Sequence, residues 1–300
     1  MTTRATGVAL AFATAVISGV SIWVNGRAVR HFGDATVYTT AKNAVAGALL
    51  VTALLAFGRR SGPPLRDLGR RRALALLTVG VIGGSVPFVL FFEGLARAQA
   101  TQASFIQKTL VIWVALLAVP LLRERFGIPH AISIALLVLG QAWLVGSAGK
   151  VTFGQGEAMI LAATLLWAVE VVYVKHLLAA LPPQLLAAAR MGIGTLILLL
   201  WLAVSGRLDD LSALGWTQWR WVLLTGLLLT AYVGTWYAAL ARAQAIDVTA
   251  VLVFGALVTA VLSGTVDGKA VSAAGIALVA AGSAVMALAA LRRPVAEAAT

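Results

Sequence analysis

The chain has 300 residues, of which 61% are hydrophobic and 11% charged, with a formal net charge of +12 and no cysteine. A soluble domain is about 45–50% apolar and about 25% charged, so the composition excludes an ordinary globular protein and points to the bilayer. Lys and Arg fall mostly in short loops between apolar runs, without the aromatic-basic segments of a nucleic-acid binder, and the missing cysteines exclude disulfides and thiolate chemistry.

A hydrocarbon core of about 30 Å needs roughly 20 helical residues. On that basis spans are expected near 6–25, 36–57, 73–95, 101–122, 130–147, 155–177, 184–205, 218–241, 247–265 and 270–291. The first run resembles a signal peptide in length. Its basic region is a single Arg4 and no small-residue cleavage site follows, so it reads as a span. Turn chemistry marks the two longest loops, with Gly62-Pro63-Pro64 in the first and Asp209-Asp210 in the second. Continuous apolar runs without alternation exclude a β-barrel.

Polar residues inside these spans carry the functional reading. In the first, Ser18, Ser21 and Asn25 share one helical face. Lys42 lies roughly 9–11 Å from the nearer end of the second, at 1.5 Å per residue. It either snorkels to the interface or faces a wet cavity. The third span holds Gly80, Gly83, Gly84 and Pro87, a candidate gate hinge or a site of close packing. Glu93 sits near its far end. The fourth offers Ser104, Gln107 and Lys108, with Trp113 beyond.

In the sixth span Trp167, Glu170 and Val174 form a face. Glu170 is roughly 22 Å along the helix, where a carboxylate must be paired, solvated or protonated. Arg190 in the seventh reaches similar depth, so the two are expected in one polar cluster, serving transport or simply tying the helices together. Tyr232, Trp236 and Tyr237 in the eighth face either ligand or the interface belt, whereas Trp219 and Trp221 read as belt. In the tenth, Ala273, Ala277, Ala281, Gly275 and Gly282 suit close packing, as a peripheral scaffold or a dimer face. His31, His130 and His176 lie near helix ends without ligand-like spacing, so no metal site is expected.

The hexapeptide Leu-Ala-Arg-Ala-Gln-Ala occurs at Leu95–Ala100 and again at Leu240–Ala245, each time between the third and fourth spans of a five-span unit. The alignment extends to Gly7 with Gly156, Ser21 with Glu170, Ala41 and Lys42 with Ala189 and Arg190, and Glu124 with Asp267. The chain therefore reads as all-α and integral to the membrane, ten transmembrane helices in two five-helix repeats, residues 1–148 and 149–300. An odd number of spans per repeat inverts the second, the architecture of secondary transporters. Placing both termini in the cytoplasm puts thirteen Lys and Arg on the inner side and seven on the outer, with the Arg59–Arg72 loop supplying most of the bias.

Ten spans in inverted fives, a cation early in the second span of each half, and an acidic residue closing the fourth resemble the drug/metabolite transporter superfamily, EamA type. The segment from Lys108 to Arg125, ending Leu-Leu-Arg-Glu-Arg, is similar to that family's fourth span with its closing Gly-Glu-Arg, and Trp167-Ala168 is similar to its sixth. Arg123 stands where the family has Gly, and Val111 where many members have Pro. The resemblance, which extends to YddG-like exporters, implies export of amino acids across a bacterial-type inner membrane by alternating access. Nucleotides, sugar phosphates or organic acids are the other candidate substrates.

The expected cavity residues are Ser21, Asn25, Lys42, Gln107, Lys108, Trp167, Glu170, Arg190, Tyr232 and Trp236, donors, acceptors and rings that replace the hydration of a substrate. Glu170 is the candidate for proton coupling. No ATP-binding loop is present, so no cofactor is expected and active transport must draw on an ion gradient. A membrane transferase would need paired Asp or His near one surface, and Asp209-Asp210 has no such partner nearby. A passive structural or sensor protein would not need intramembrane charges. Internal duplication removes the need for a second copy to build the pathway, so a functional monomer is expected, in contact only with substrate and lipid.

Overall fold

The computed structural model describes residues 3–57, 69–98, 100–146, 153–268 and 270–292. Arg59, Arg60, Arg66, Lys150, Lys269, Arg293 and the Gly62-Pro63-Pro64 turn lie outside the described residues, so the charge bias that rests on them is not seen in it. All regular structure among the described residues is helical. The first two spans are α1 (Thr3–Ala28) and α2 (Ala35–Phe57), and the third is α3 (Arg70–Val79) and α4 (Val86–Arg97) joined by a π-helical turn over Gly80–Ser85. The fourth divides into α5 (Ala100–Lys108) and α6 (Leu110–Leu122), and the fifth is α7 (Ile128–Gly146).

In the second half come α8 (Gln155–Leu177), α9 (Pro183–Val204), the short α10 (Leu208–Ser212), α11 (Trp216–Leu240), the broken pair α12 (Ala245–Leu252) and α13 (Phe254–Thr265), and α14 (Ala273–Arg292). Nine spans among the described residues are long and apolar enough to cross a bilayer, and Ile128–Leu144 is a shorter tenth. The loop around Asp209-Asp210 differs from expectation in forming α10. The fourth and ninth spans differ in being interrupted, at the matching positions Thr109 and Val253.

The helix contacts obey a pseudo-twofold. The first span packs on the eighth as the sixth packs on the third, and on the ninth as the sixth packs on the fourth. The second pairs with the seventh, and the fifth with the tenth. These last two pairs and the first–eighth and third–sixth pairs run antiparallel. In the first–eighth pair Thr14 bonds Thr235 while Gln218 donates to the His31 carbonyl, Arg207 at the end of α9 bonds Asp34 at the start of α2, and Gly94 meets Gly156 while Gly83 meets Trp167. With spans alternating in direction, the second unit is inverted against the first. Both described chain ends fall on one face, here called proximal; the other is distal.

In α14 it is Gly275, Val279, Gly282 and Met286 that turn inward, and Ser133 of α7 donates to the Gly282 carbonyl at 2.7 Å. Ala273, Ala277 and Ala281 are exposed on the opposite face. The glycines let α14 approach α7 within the chain, a cheaper use of small residues in lipid than burying large ones.

The π-turn has a covalent cause. Pro87 has no amide to offer the Gly83 carbonyl four residues back, so that oxygen is free for other donors. Ser85 repairs the rest of the turn, its hydroxyl reaching the Gly80 and Val81 carbonyls at 3.1 Å. A Cβ at Gly84 would collide with the Arg190 carbonyl, so the third span meets the seventh backbone to backbone.

Candidate functional site

The inward faces of the first, second, third, fourth, sixth, seventh, eighth and ninth spans surround a cavity of about 90 Å³. Ser21, Asn25, Lys42, Gln107, Trp167, Glu170, Arg190, Tyr232 and Trp236 all line it. Lys108 does not. Its Nζ donates to Ser18 Oγ at 3.1 Å from behind the cavity wall, and it lines a separate void of about 10 Å³ with Gln141.

Lys42 is 2% exposed and does not snorkel. Its Nζ sits 3.5 Å from the centre of the Phe92 ring, with Asn25 Oδ1 at 3.4 Å. A cation over an aromatic face is stabilised by the ring quadrupole. Asn25 is fixed for this task, because its amide donates to the Ser21 carbonyl at 2.7 Å and its oxygen accepts from Tyr38 Oη at 2.5 Å. Among the described residues no carboxylate comes within ion-pair distance of Lys42.

A second charge group lines the same cavity. Glu170 Oε1 accepts from Tyr237 Oη, while Oε2 lies 3.7 Å from Arg190 Nη1 and has no hydrogen-bond partner. Arg190 is held by its Nε, which donates to the freed Gly83 carbonyl at 3.1 Å, and Trp167 Nε1 donates to the same oxygen at 3.2 Å. A Cβ at Gly83 would press on the Glu170 side chain at 2.8 Å. The glycine-proline stretch thus packs against the charged pair and orients it.

The sequence reading missed the apolar wall. Phe88 and Phe91 meet Trp167 at ring separations of 5.5 and 5.4 Å, and Tyr232 stacks on Trp236. Phe88, Phe91 and Phe92 share one face of the third span by their i, i+3, i+4 spacing, but that spacing alone does not tell an inward face from one turned to lipid. Tyr38, which orients Asn25, was missed as well.

The two ends of the cavity differ. At the proximal end every residue of α12 is buried. Glu124, just beyond the fourth span, accepts the first amides of α12, Ala245 N at 2.6 Å and Ile246 N at 3.0 Å. Burial pushes the Glu124 carboxyl above its ordinary range, and these amide bonds only partly offset it. Lys175, ending the sixth span, donates to the Leu240 and Ala243 carbonyls at 2.6 and 2.7 Å. Asp247 pairs with Arg4 at 3.1 Å and His130 at 3.2 Å. The second hexapeptide is therefore clamped from both sides.

At the distal end the matching residues do something else. Asp267, counterpart of Glu124, pairs with Arg27 and accepts from Trp23 Nε1 at 3.1 Å, all at the ends of the first and ninth spans. Leu95 lines both the central cavity and a distal vestibule of about 330 Å³ beside Gly26, Arg30 and Phe32. The proximal end is closed over by buried backbone and its clamping side chains, whereas at the distal end Leu95 forms the wall shared by the cavity and the vestibule.

The sequence pattern of the EamA-like transporter family matches residues 5–146 and again 154–290. An uncharacterized transporter of Methanothermobacter thermautotrophicus is 24% identical over 152 residues, 49% of this chain and 44% of that protein, so the match spans less than half of the relative's length. A protein crystal structure superposes with a TM-score of 0.76 at 18% identity, covering 97% of this chain and all of that one, a likeness of fold.

Proposed function

The chain belongs to the EamA-like transporter family, and from that premise we propose that this multi-pass membrane transporter is a secondary carrier of small zwitterions, amino acids foremost, working by alternating access. The observation that supports the reading is that a basic and an acidic side chain, Lys42 and Glu170, line one cavity. Among the described residues Lys42 has no carboxylate within ion-pair distance, and Glu170, though ion-paired with Arg190 at 3.7 Å, keeps one buried oxygen without a hydrogen bond. A buried charge left unpaired is costly. A solute bringing a carboxylate to Lys42 and an ammonium to Glu170 Oε2 satisfies both, with its side chain against Phe88, Phe91 and Trp167.

Arg190 balances Glu170, and Glu170 is the group through which a proton gradient would act. Ser21, Asn25, Gln107, Tyr232 and Trp236 supply the remaining polar edge and rings. The glycines around the π-turn are the hinge about which the third span moves. We place the proximal face in the cytoplasm of an inner-membrane protein that works as a monomer and exports its substrate.

A matched series of probes tests this: phenylalanine, phenylacetate and phenethylamine share a ring and differ in charge. Thermal stabilisation of the purified protein should be greatest for the zwitterion and fall for Lys42→Met and for Glu170→Gln. Stabilisation by phenylacetate alone, untouched by Glu170→Gln, would replace the zwitterion with an organic anion. Counterflow in proteoliposomes, read together with substrate-driven proton movement, then tests transport and the place of Glu170 in coupling; proton movement that survives Glu170→Gln removes it from that role.

A further inference from the structure

We propose that the distal end closes by a latch already visible at the proximal end: Asp267 leaves Arg27 and takes the first backbone amides of α5. The inference rests on the alternating-access reading and adds to it the residues that make the seal. The argument is one of internal symmetry. Under the duplication Glu124 matches Asp267, and the hexapeptide at Leu240–Ala245 matches Leu95–Ala100. Proximally, Glu124 accepts from Ala245 and Ile246, the first amides of α12. Their distal counterparts are Ala100 and Thr101, the first residues of α5.

The cation side has the same logic. Lys175 grips the carbonyls of Leu240 and Ala243, whose counterparts are Leu95 and Ala98. By the spacing that matches Ser21 with Glu170, Arg27 falls one residue from the counterpart of Lys175. In this structure Arg27 and Asp267 are occupied with each other, at 33% and 21% side-chain exposure. A partly exposed ion pair is weak, so exchanging it, together with the place of Arg27 over the Trp23 ring, for bonds to helix-end backbone groups is a modest step. Such groups are natural partners, since helix N-terminal amides favour carboxylates and C-terminal carbonyls favour cations. Each end would then carry one carboxylate and one cation that either clamp the facing hexapeptide or hold one another.

The lack of cysteine gives a clean background for the test. A single Ser21→Cys reporter in the cavity is labelled with a membrane-impermeant maleimide from the distal side, in intact protein and in Glu124→Ala. Weakening the proximal seal should shield the reporter and slow labelling roughly tenfold or more, the shift expected when charge-assisted bonds are lost from one state only. Adding Asp267→Ala to Glu124→Ala should restore fast labelling. A disulfide between Thr101→Cys and Val266→Cys should form in Glu124→Ala and be suppressed by Asp267→Ala. Should Glu124→Ala misfold, Lys175→Met, which removes the other clamp on the same hairpin, serves in its place. Shielding that persists with Asp267→Ala, or a cross-link indifferent to it, overturns the latch while leaving alternating access standing. A reporter never shielded in any background overturns both.

Discussion

The two ends of the bundle are built from the same plan and are found in different states. Proximally, Glu124 and Lys175 reach across to the facing hairpin and bond its backbone at 2.6–3.0 Å. Distally, Asp267 and Arg27 face each other near solvent. Hydrogen bonds to charged groups contribute about 1.5–3 kcal/mol each when buried, whereas an exposed ion pair contributes about 0–1 kcal/mol. The difference teaches that the resting asymmetry of this molecule comes from where a few charges spend their hydrogen bonds, on a scaffold that is otherwise matched.

Glu124→Ala strikes that comparison hardest. It strands two buried amides at the start of α12 and should lower stability by about 2–5 kcal/mol, measured by thermal unfolding in detergent. A drop below 1 kcal/mol would mean that the proximal end is not held by this carboxylate.

Acidity sharpens the comparison next. The pKa of Glu124 is raised in the sealed state, chiefly by burial, so proton uptake favours the sealed state over an open one in which the carboxyl is hydrated. This contribution is complete below the ordinary carboxylate range and is lost as pH rises through the raised value. Lowering pH on the proximal side should therefore favour distal labelling of a cavity reporter, and Glu124→Gln should abolish the dependence. A trend of the opposite sign contradicts the assignment.

Arg123 comes third. It is the one non-glycine residue among those described with positive φ, at 52°, and it turns the chain so that Glu124 points at α12. Its distal counterpart Val266 keeps φ −97°. Because left-handed geometry costs a side-chain-bearing residue about 1–2 kcal/mol, Arg123→Gly should stabilise by about 1 kcal/mol without weakening the seal. An unchanged melting point would show that the arginine is not strained. The smallest effect belongs to Asp267→Asn, expected to change stability by less than about 1 kcal/mol. A loss comparable to that of Glu124→Ala would erase the contrast between the ends.

The spans, their number and their inversion were legible because hydrocarbon thickness and a repeated hexapeptide leave few alternatives. The position of Lys42, Glu170 and Arg190 around one cavity was also foreseeable, since charges at that depth must face something wet. The faces of the apolar helices were not legible. In lipid a phenylalanine costs the same on either side, so nothing in periodicity distinguishes the inward Phe88 and Phe91 from the outward Leu196 and Leu200. Lys108 was misread for a related reason: it shares a polar stripe with Gln107, but one residue along a helix is a turn of about 100°, and that rotation carries it behind Ser18. The kinks at Thr109 and Val253 carry no proline or glycine at the break itself, and only packing reveals them.

One carbonyl oxygen ties the middle of the molecule together. Because Pro87 cannot donate to Gly83, that single atom anchors both the guanidinium of Arg190 and the indole of Trp167. Pro87→Ala would give that oxygen a rival donor from its own helix, and the guanidinium and the indole would lose their shared tether at once, through the addition of a single amide hydrogen.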